Sequence, residues 1–213
     1  MTEIAEIDGT STVIIGSFNP AISHPSWYEK QGLISNKDAE NAEIKIVMPD
    51  VSEFEIGPIR VQVVRDRFTV ETADPRYFES VRDLALGTFT ILEHTPVKAL
   101  GINRTMHFPM SSLDRQQALF KLIVQSQVWD SLLPDSELRS ITIRHNRTNP
   151  PGFVAVKIEP SLRIDSAVFI QLNNHYQIQG DNIAELLRCL KDNWEQNIID
   201  ASKLANGLLS KEY

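Results

Sequence analysis

The chain has 213 residues, 42% hydrophobic and 23% charged, with one cysteine and a net charge of −7. That is globular composition, and it excludes collagen-like, low-complexity and wholly disordered chains as well as an intramolecular disulfide scaffold. The charge is uneven: residues 1–56 hold ten acids against three lysines, while the rest of the chain balances at 18 of each sign.

Short strands are predicted at Thr12–Phe18 and Ile44–Met48. Ile59, Val61 and Val63 then alternate, and Phe68 and Val70 continue on the other parity after a turn or bulge at Arg65-Asp66-Arg67. Asp74 as N-cap and Pro75 at the first helical position open a helix through Phe78, Val81, Leu84, Ala85, Phe89 and Leu92. Val97–Phe108 reads as a strand with Leu100, Ile102, Met106 and Phe108 on one face and Gly101 as a point of close approach.

Ser111 or Ser112 begins a second helix through Leu119, Leu122, Ile123, Val128 and Leu132, stopped by Pro134. Leu138–Arg147 and Phe153–Glu159 alternate on either side of Thr148-Asn149-Pro150-Pro151-Gly152, a hairpin sequence. In Ala167–Ile178, Val168, Ile170, Leu172, Tyr176 and Ile178 oppose Gln171, Asn173, His175 and Gln177, which marks a strand with one wet side. The third helix, residues 181–209, carries an apolar stripe from Ile183 to Leu208 and is roughly 40 Å long.

The expected fold class is therefore α+β: a largely antiparallel sheet with about three helices and a long C-terminal helix. One domain over 1–213 is expected, with 1–108 and 109–213 as pseudo-halves that share the triplet Asn-Arg-Thr at 103–105 and 146–148. No apolar run approaches the ~18 residues of a membrane span, and the N-terminus is polar. A soluble, cytoplasmic protein is the expectation.

Motifs of catalysis are sparse. The glycines form neither G-x-G-x-x-G nor G-x-x-x-x-G-K-S/T, and no Gly-x-Ser-x-Gly elbow occurs. The five histidines lack metal-ligand spacing, so neither metal nor cofactor is expected, although His107, His145 and His175 fall on strands that could share a face. Cys189 reads as a small buried hydrophobe, with a thiolate pair to His175 as its functional alternative. Glu43-Ile44-Lys45 after Asp38 has the residue types of a Mg²⁺ nuclease site, against the plainer reading of a solvated edge strand.

Two constellations point to binding. Arg139, Arg144, Arg147, Lys157 and Arg163 oppose only Glu159 within residues 138–163, a local +4 with His145 beside it. Arg60, Arg65 and Arg67 form a second basic cluster. Packed side by side, the clusters would dock phosphates or an acidic partner; the alternative is that they pair with the protein's own acids. Phe18, Trp27 and Tyr28 crowd a Pro-rich loop that is either an exposed aromatic anchor or a core wrapping.

Phe18-Asn19-Pro20 with Trp27 follows the first strand. Asp66-Arg67-Phe68-Thr69-Val70, the helix near Tyr77–Leu92, and Pro96-Val97-Lys98-Ala99-Leu100-Gly101-Ile102-Asn103-Arg104 come after it. Over about residues 60–108 this order resembles a sporadically distributed, uncharacterised group of bacterial proteins, without the tyrosine that group carries in its "GLRYiN"-like strand. The resemblance implies a bacterial or phage origin and no activity.

The leading functional expectation is a non-catalytic protein-binding or assembly protein, self-associating through helix 181–209 or binding another protein. One alternative is an enzyme acting on a phosphate-bearing substrate through strand-borne His145, His175, Arg144 and Arg147. Another is a nucleic-acid-binding module that uses the basic strands of 138–163.

Overall fold

The computed structural model describes residues 3–124, 127–133, 136–180 and 182–210. Among the described residues, period-two alternation yields nine strands: β1 (Ile7–Gly16), β2 (Glu43–Met48), β3 (Val51–Ile56), β4 (Ile59–Val64), β5 (Arg67–Thr72), β6 (Val97–Pro109), β7 (Ile141–Thr148), β8 (Pro151–Pro160) and β9 (Ala167–Gln177). They form one sheet in the order β2-β3-β4-β5-β1-β6-β9-β8-β7, with every neighbouring pair antiparallel. The helices are α1 (Pro25–Lys30), α2 (Asn36–Glu40), α3 (Phe78–Ile91), α4 (Leu113–Val124), α5 (Gln127–Leu132) and α6 (Ile183–Leu209). The chain is α+β.

The apolar parity of each strand decides which face the helices cover. Ile14, Phe54, Val61, Phe68, Val70, Leu100, Ile102, Ile170, Leu172 and Tyr176 are all buried on one side. α3 seats on β1 and β5, and α6 lies against α3, β6 and β9. Ile183, Leu186, Leu190 and Trp194 join the core under α3, whereas Ala201, Ala205 and Leu209 join a second cluster with α4, β8 and β9. β6 pairs with both β1 and β9, so the sheet runs unbroken between the two clusters.

Several boundaries differ from the sequence reading. β1 begins at Ile7, because Asp8, Thr10 and Thr12 occupy its helix-facing positions and hide the pattern. β3 has no clear sequence signal: its inward parity includes Ser52, and Glu53 and Glu55 face outward, so the segment looks like an acidic loop. The second helix is described as α4 and α5, with residues 125 and 126 between them outside the described residues, and Ser112 caps its start through the Arg115 N–H (3.2 Å). Pro134, Asp181 and the Val128 side chain lie outside the described residues.

The expectation of self-association through helix 181–209 does not fit this packing. The apolar stripe of α6 is seated on its own sheet, since every large side chain buried there contributes about 1.5–3 kcal/mol. No helix among the described residues is long and apolar enough to cross a membrane.

Candidate functional site

With α3, α4 and α6 packed on one side, the opposite face of the central strands is open among the described residues. Its parity carries Gly9, Ser11 and Val13 on β1, Gly101, Asn103 and Thr105 on β6, and Gln171, Asn173 and His175 on β9. The small side chains of β1 and β6 make a floor, and longer ones on the flanking strands make the walls. A concavity of about 440 Å³ results, lined also by Arg60, Gln62, Arg67, Thr69 and Glu71. A second concavity of about 430 Å³ shares Ser11, Arg60 and Glu71 with it and continues toward His107 and Phe169.

The wall on the β4–β5 side is a closed ionic network. Arg60 reaches Glu53 (2.9 Å) and Glu71 (2.8 Å), and Gln62 donates to Glu53 at 2.6 Å. The Arg60 guanidinium and the Gln62 amide hold the Glu53 carboxyl below its ordinary range, against the opposing effect of burial. Arg67 stands apart, exposed and with no ion pair or side-chain hydrogen bond among the described residues.

The wall on the β9 side is a stack. His175 and Phe153 are register partners with ring centroids 4.5 Å apart and planes 15° from parallel. The Arg144 guanidinium lies 3.8 Å over the other side of the assembly, on the Phe153 ring. Burial, with Arg144 and Arg147 nearby, lowers the His175 pKa and disfavours the protonated ring. Next to His175 across the sheet stands Gly101, which has no side chain. Asn103 donates to Ser11 Oγ at 3.1 Å, while Asn103 Oδ1 and Asn173 Oδ1 are buried without a hydrogen-bond partner. These two asparagines face each other in register.

The structure separates the expected basic face. β1, β6 and β9 lie between the strands of the two clusters, so they do not pack side by side. Several of their members are paired with the protein's own acids: Arg65 with Asp50, Arg139 with Glu137 (3.7 Å) and Lys157 with Glu159 (2.7 Å). Arg67, Arg144 and Lys157 are on the open face, and Arg163 lines its second concavity. His145 and Arg147 are on the helix side, where Arg147 lies 4.2 Å over Tyr176 and donates to the His175 carbonyl at 2.9 Å.

His145 and His175 are thus on opposite faces, which divides the residues posed for a phosphate-directed enzyme. The same parity dissolves the three-histidine set: His107 and His175 share the open face but stand six residues apart along the sheet, roughly 20 Å. Among the described residues no three His, Cys, Asp or Glu side chains converge on a metal-sized site. Cys189 is on α6, with the sheet between it and the His175 ring, and burial pushes its thiol up to about 11. Asp38 is engaged in a capping box with Ser35, and Lys45 is held by Glu43 (2.6 Å) and Glu55 (3.4 Å), so the nuclease-like triplet does not assemble.

Phe18, Trp27 and Tyr28 wrap the core instead of forming an exposed anchor. Tyr28 is 1% exposed and stacks edge-on with Phe54 and Trp27, and Phe18 packs on Phe68 and Phe89. Burial pushes the Tyr28 hydroxyl up to about 12, despite its hydrogen bonds to Ser23 and Thr88. A largely apolar concavity of about 410 Å³ opens beside these rings at the end of α3.

The sequence shows which residues share the wet parity of β9, but the Phe153–His175 stack and the Asn103–Asn173 pairing depend on strand order, which no local signal carries. No protein-family model matches the chain, and no curated protein matches it.

Proposed function

We propose that the protein is a non-catalytic binding protein that holds its ligand on the open face of the sheet. The observation that carries this reading is the pair Asn103 and Asn173, whose side-chain carbonyls are buried and unpartnered in the middle of the concavity. An unmet buried acceptor costs about 1–3 kcal/mol. A ligand donor that draws the amide round to meet it recovers that energy.

The test is amide chemical-shift mapping of the isotope-labelled protein against a library of small polar fragments. Perturbations should cluster on β1, β6 and β9. Clustering in the apolar concavity beside Phe89, or on the edge strands, would overturn the reading.

A second reading, assembly with another protein strand, is favoured by β2. This strand is an edge of the sheet, and Ile44, Ile46, Val47 and Met48 on it are all exposed. Exposed apolar edges invite strand pairing, although the bulge between Ile44 and Ile46 blunts this one. Light scattering over a concentration series tests it.

A further inference from the structure

The stack on β8 and β9 ends abruptly. One face of the His175 ring is covered by Phe153, and the opposite face looks across the sheet toward Gly101. Beyond Gly101 the next side chain in the row is Val13 on β1. His175 and Val13 are two strand spacings apart, about 10 Å. That separation accepts one flat ring at stacking distance from the imidazole and in van der Waals contact with the valine. Gly101 is not in the left-handed region, so backbone conformation does not require a glycine here. A Cβ built at Gly101 would meet nothing nearer than Val13 Cβ at 3.6 Å and the Asn103 amide at 3.7 Å. The glycine leaves room on the open face that an ordinary side chain could fill without distortion.

The surroundings narrow the chemistry. On one side along the strands, the amides of Asn103 and Asn173 border the space, and each can both donate and accept. That is the functionality needed to meet the edge of a nitrogen heterocycle. On the other side, two residues along from the Gly101 row, Arg67 stands exposed and unpaired. A flat ring, a hydrogen-bonding edge and a free guanidinium together describe a base with its phosphate. We propose that the space above Gly101 is a nucleotide site, in which the base stacks on the free face of His175 and the phosphate meets Arg67. This rests on the open face being the ligand platform. A mononucleotide is favoured over a single strand because, among the described residues, there is one such space and one free arginine beside it. The second aromatic pair, His107 and Phe169, is tilted at 50°, and Gly9 near it is closed in by Thr105 and Thr72.

The experiment is calorimetric titration of the whole protein with the four ribonucleoside monophosphates, with adenosine, with ribose 5-phosphate and with a homopolymer oligonucleotide. At least one monophosphate should bind, and ribose 5-phosphate should not. Gly101→Val, which fills the space, should abolish binding. His175→Ala, a safer change on the open face, should weaken it roughly 5- to 150-fold, the range of one lost base–aromatic stack. Arg67→Ala should weaken the monophosphate while leaving adenosine unchanged.

Equal binding of ribose 5-phosphate, full binding by a folded Gly101→Val protein, or binding of the oligonucleotide alone would each overturn the assignment. If fragments map to the open face while no nucleotide binds, the nucleotide fails and the platform survives. If nucleotides bind but perturb amides elsewhere, both fail.

Discussion

Arg104 grips Asp8 on the helix side of the sheet, with Nε and Nη2 each donating to a carboxylate oxygen at 2.6 Å. The pair is largely buried, at 9% and 18% side-chain exposure. A third donor, Nη1, reaches the Ile198 carbonyl on α6 at 3.1 Å, and the guanidinium sits 4.9 Å from the Phe78 ring centre. One side chain therefore ties β1, β6, α3 and α6. Removing one partner strands a buried charge, so Asp8→Ala should cost about 3–5 kcal/mol in urea denaturation. Asp8→Leu combined with Arg104→Leu should cost clearly less than the single change. Equal losses would mean that the pair itself, not the uncompensated charge, sets the penalty.

This contact also shows where sequence reading stops. Leu100, Ile102, Met106 and Phe108 are readable as the buried parity of β6, yet Arg104 shares it because Asp8, 96 residues away, neutralises it. The β7–β8 hairpin is legible in its turn residues, whereas β4 and β5 are legible as alternating segments only, since Arg65-Asp66-Arg67 reads as a turn or a bulge. Adjacency elsewhere is not legible. Two basic clusters that look able to merge are held apart by strands from three other parts of the chain. Gly101 was recognisable as an exception within its strand, but only the register with His175 turns that exception into a space beside a ring.

Tyr176 on β9 and Asn197 on α6 satisfy one another, the hydroxyl donating to Oδ1 at 3.0 Å and Nδ2 standing 2.6 Å from the hydroxyl oxygen. Both are buried, at 1% and 8% exposure. Tyr176→Phe keeps the ring and leaves the amide unmet, so stability should fall by about 1–3 kcal/mol. Chemical denaturation measures it, and an unchanged midpoint would show that water or a shifted rotamer replaces the hydroxyl.

The exposed apolar edge of β2 makes a separate prediction. Ile44→Lys and Val47→Lys alter side chains that are already in solvent, so folding stability should stay within about 0.5 kcal/mol. A lysine on an edge disfavours strand-to-strand pairing. Any concentration-dependent increase in mass seen by light scattering for the wild type should disappear in the double variant. A wild type that stays monomeric at every concentration removes the assembly reading, and a double variant that still associates moves the contact away from β2.

Acid sensitivity should originate on the open face. Burial, aided by Arg144 and Arg147, lowers the His175 pKa from 6.5; burial, aided by Arg163, lowers that of His107 from the same value. As pH falls through about 6.5, the unfolded chain takes up protons that the folded chain refuses. Stability is therefore complete above that value, declines below it, and levels off once the folded form also protonates. The carboxyl of Glu53, held low by Arg60, begins to act only below about 4.5, so the interval between about pH 5 and 7 isolates the histidines. Urea midpoints measured across that interval should fall with acidification in the wild type and flatten in a His107→Gln, His175→Gln double variant. A slope of the same size in both proteins would place the acid-labile groups elsewhere in the fold.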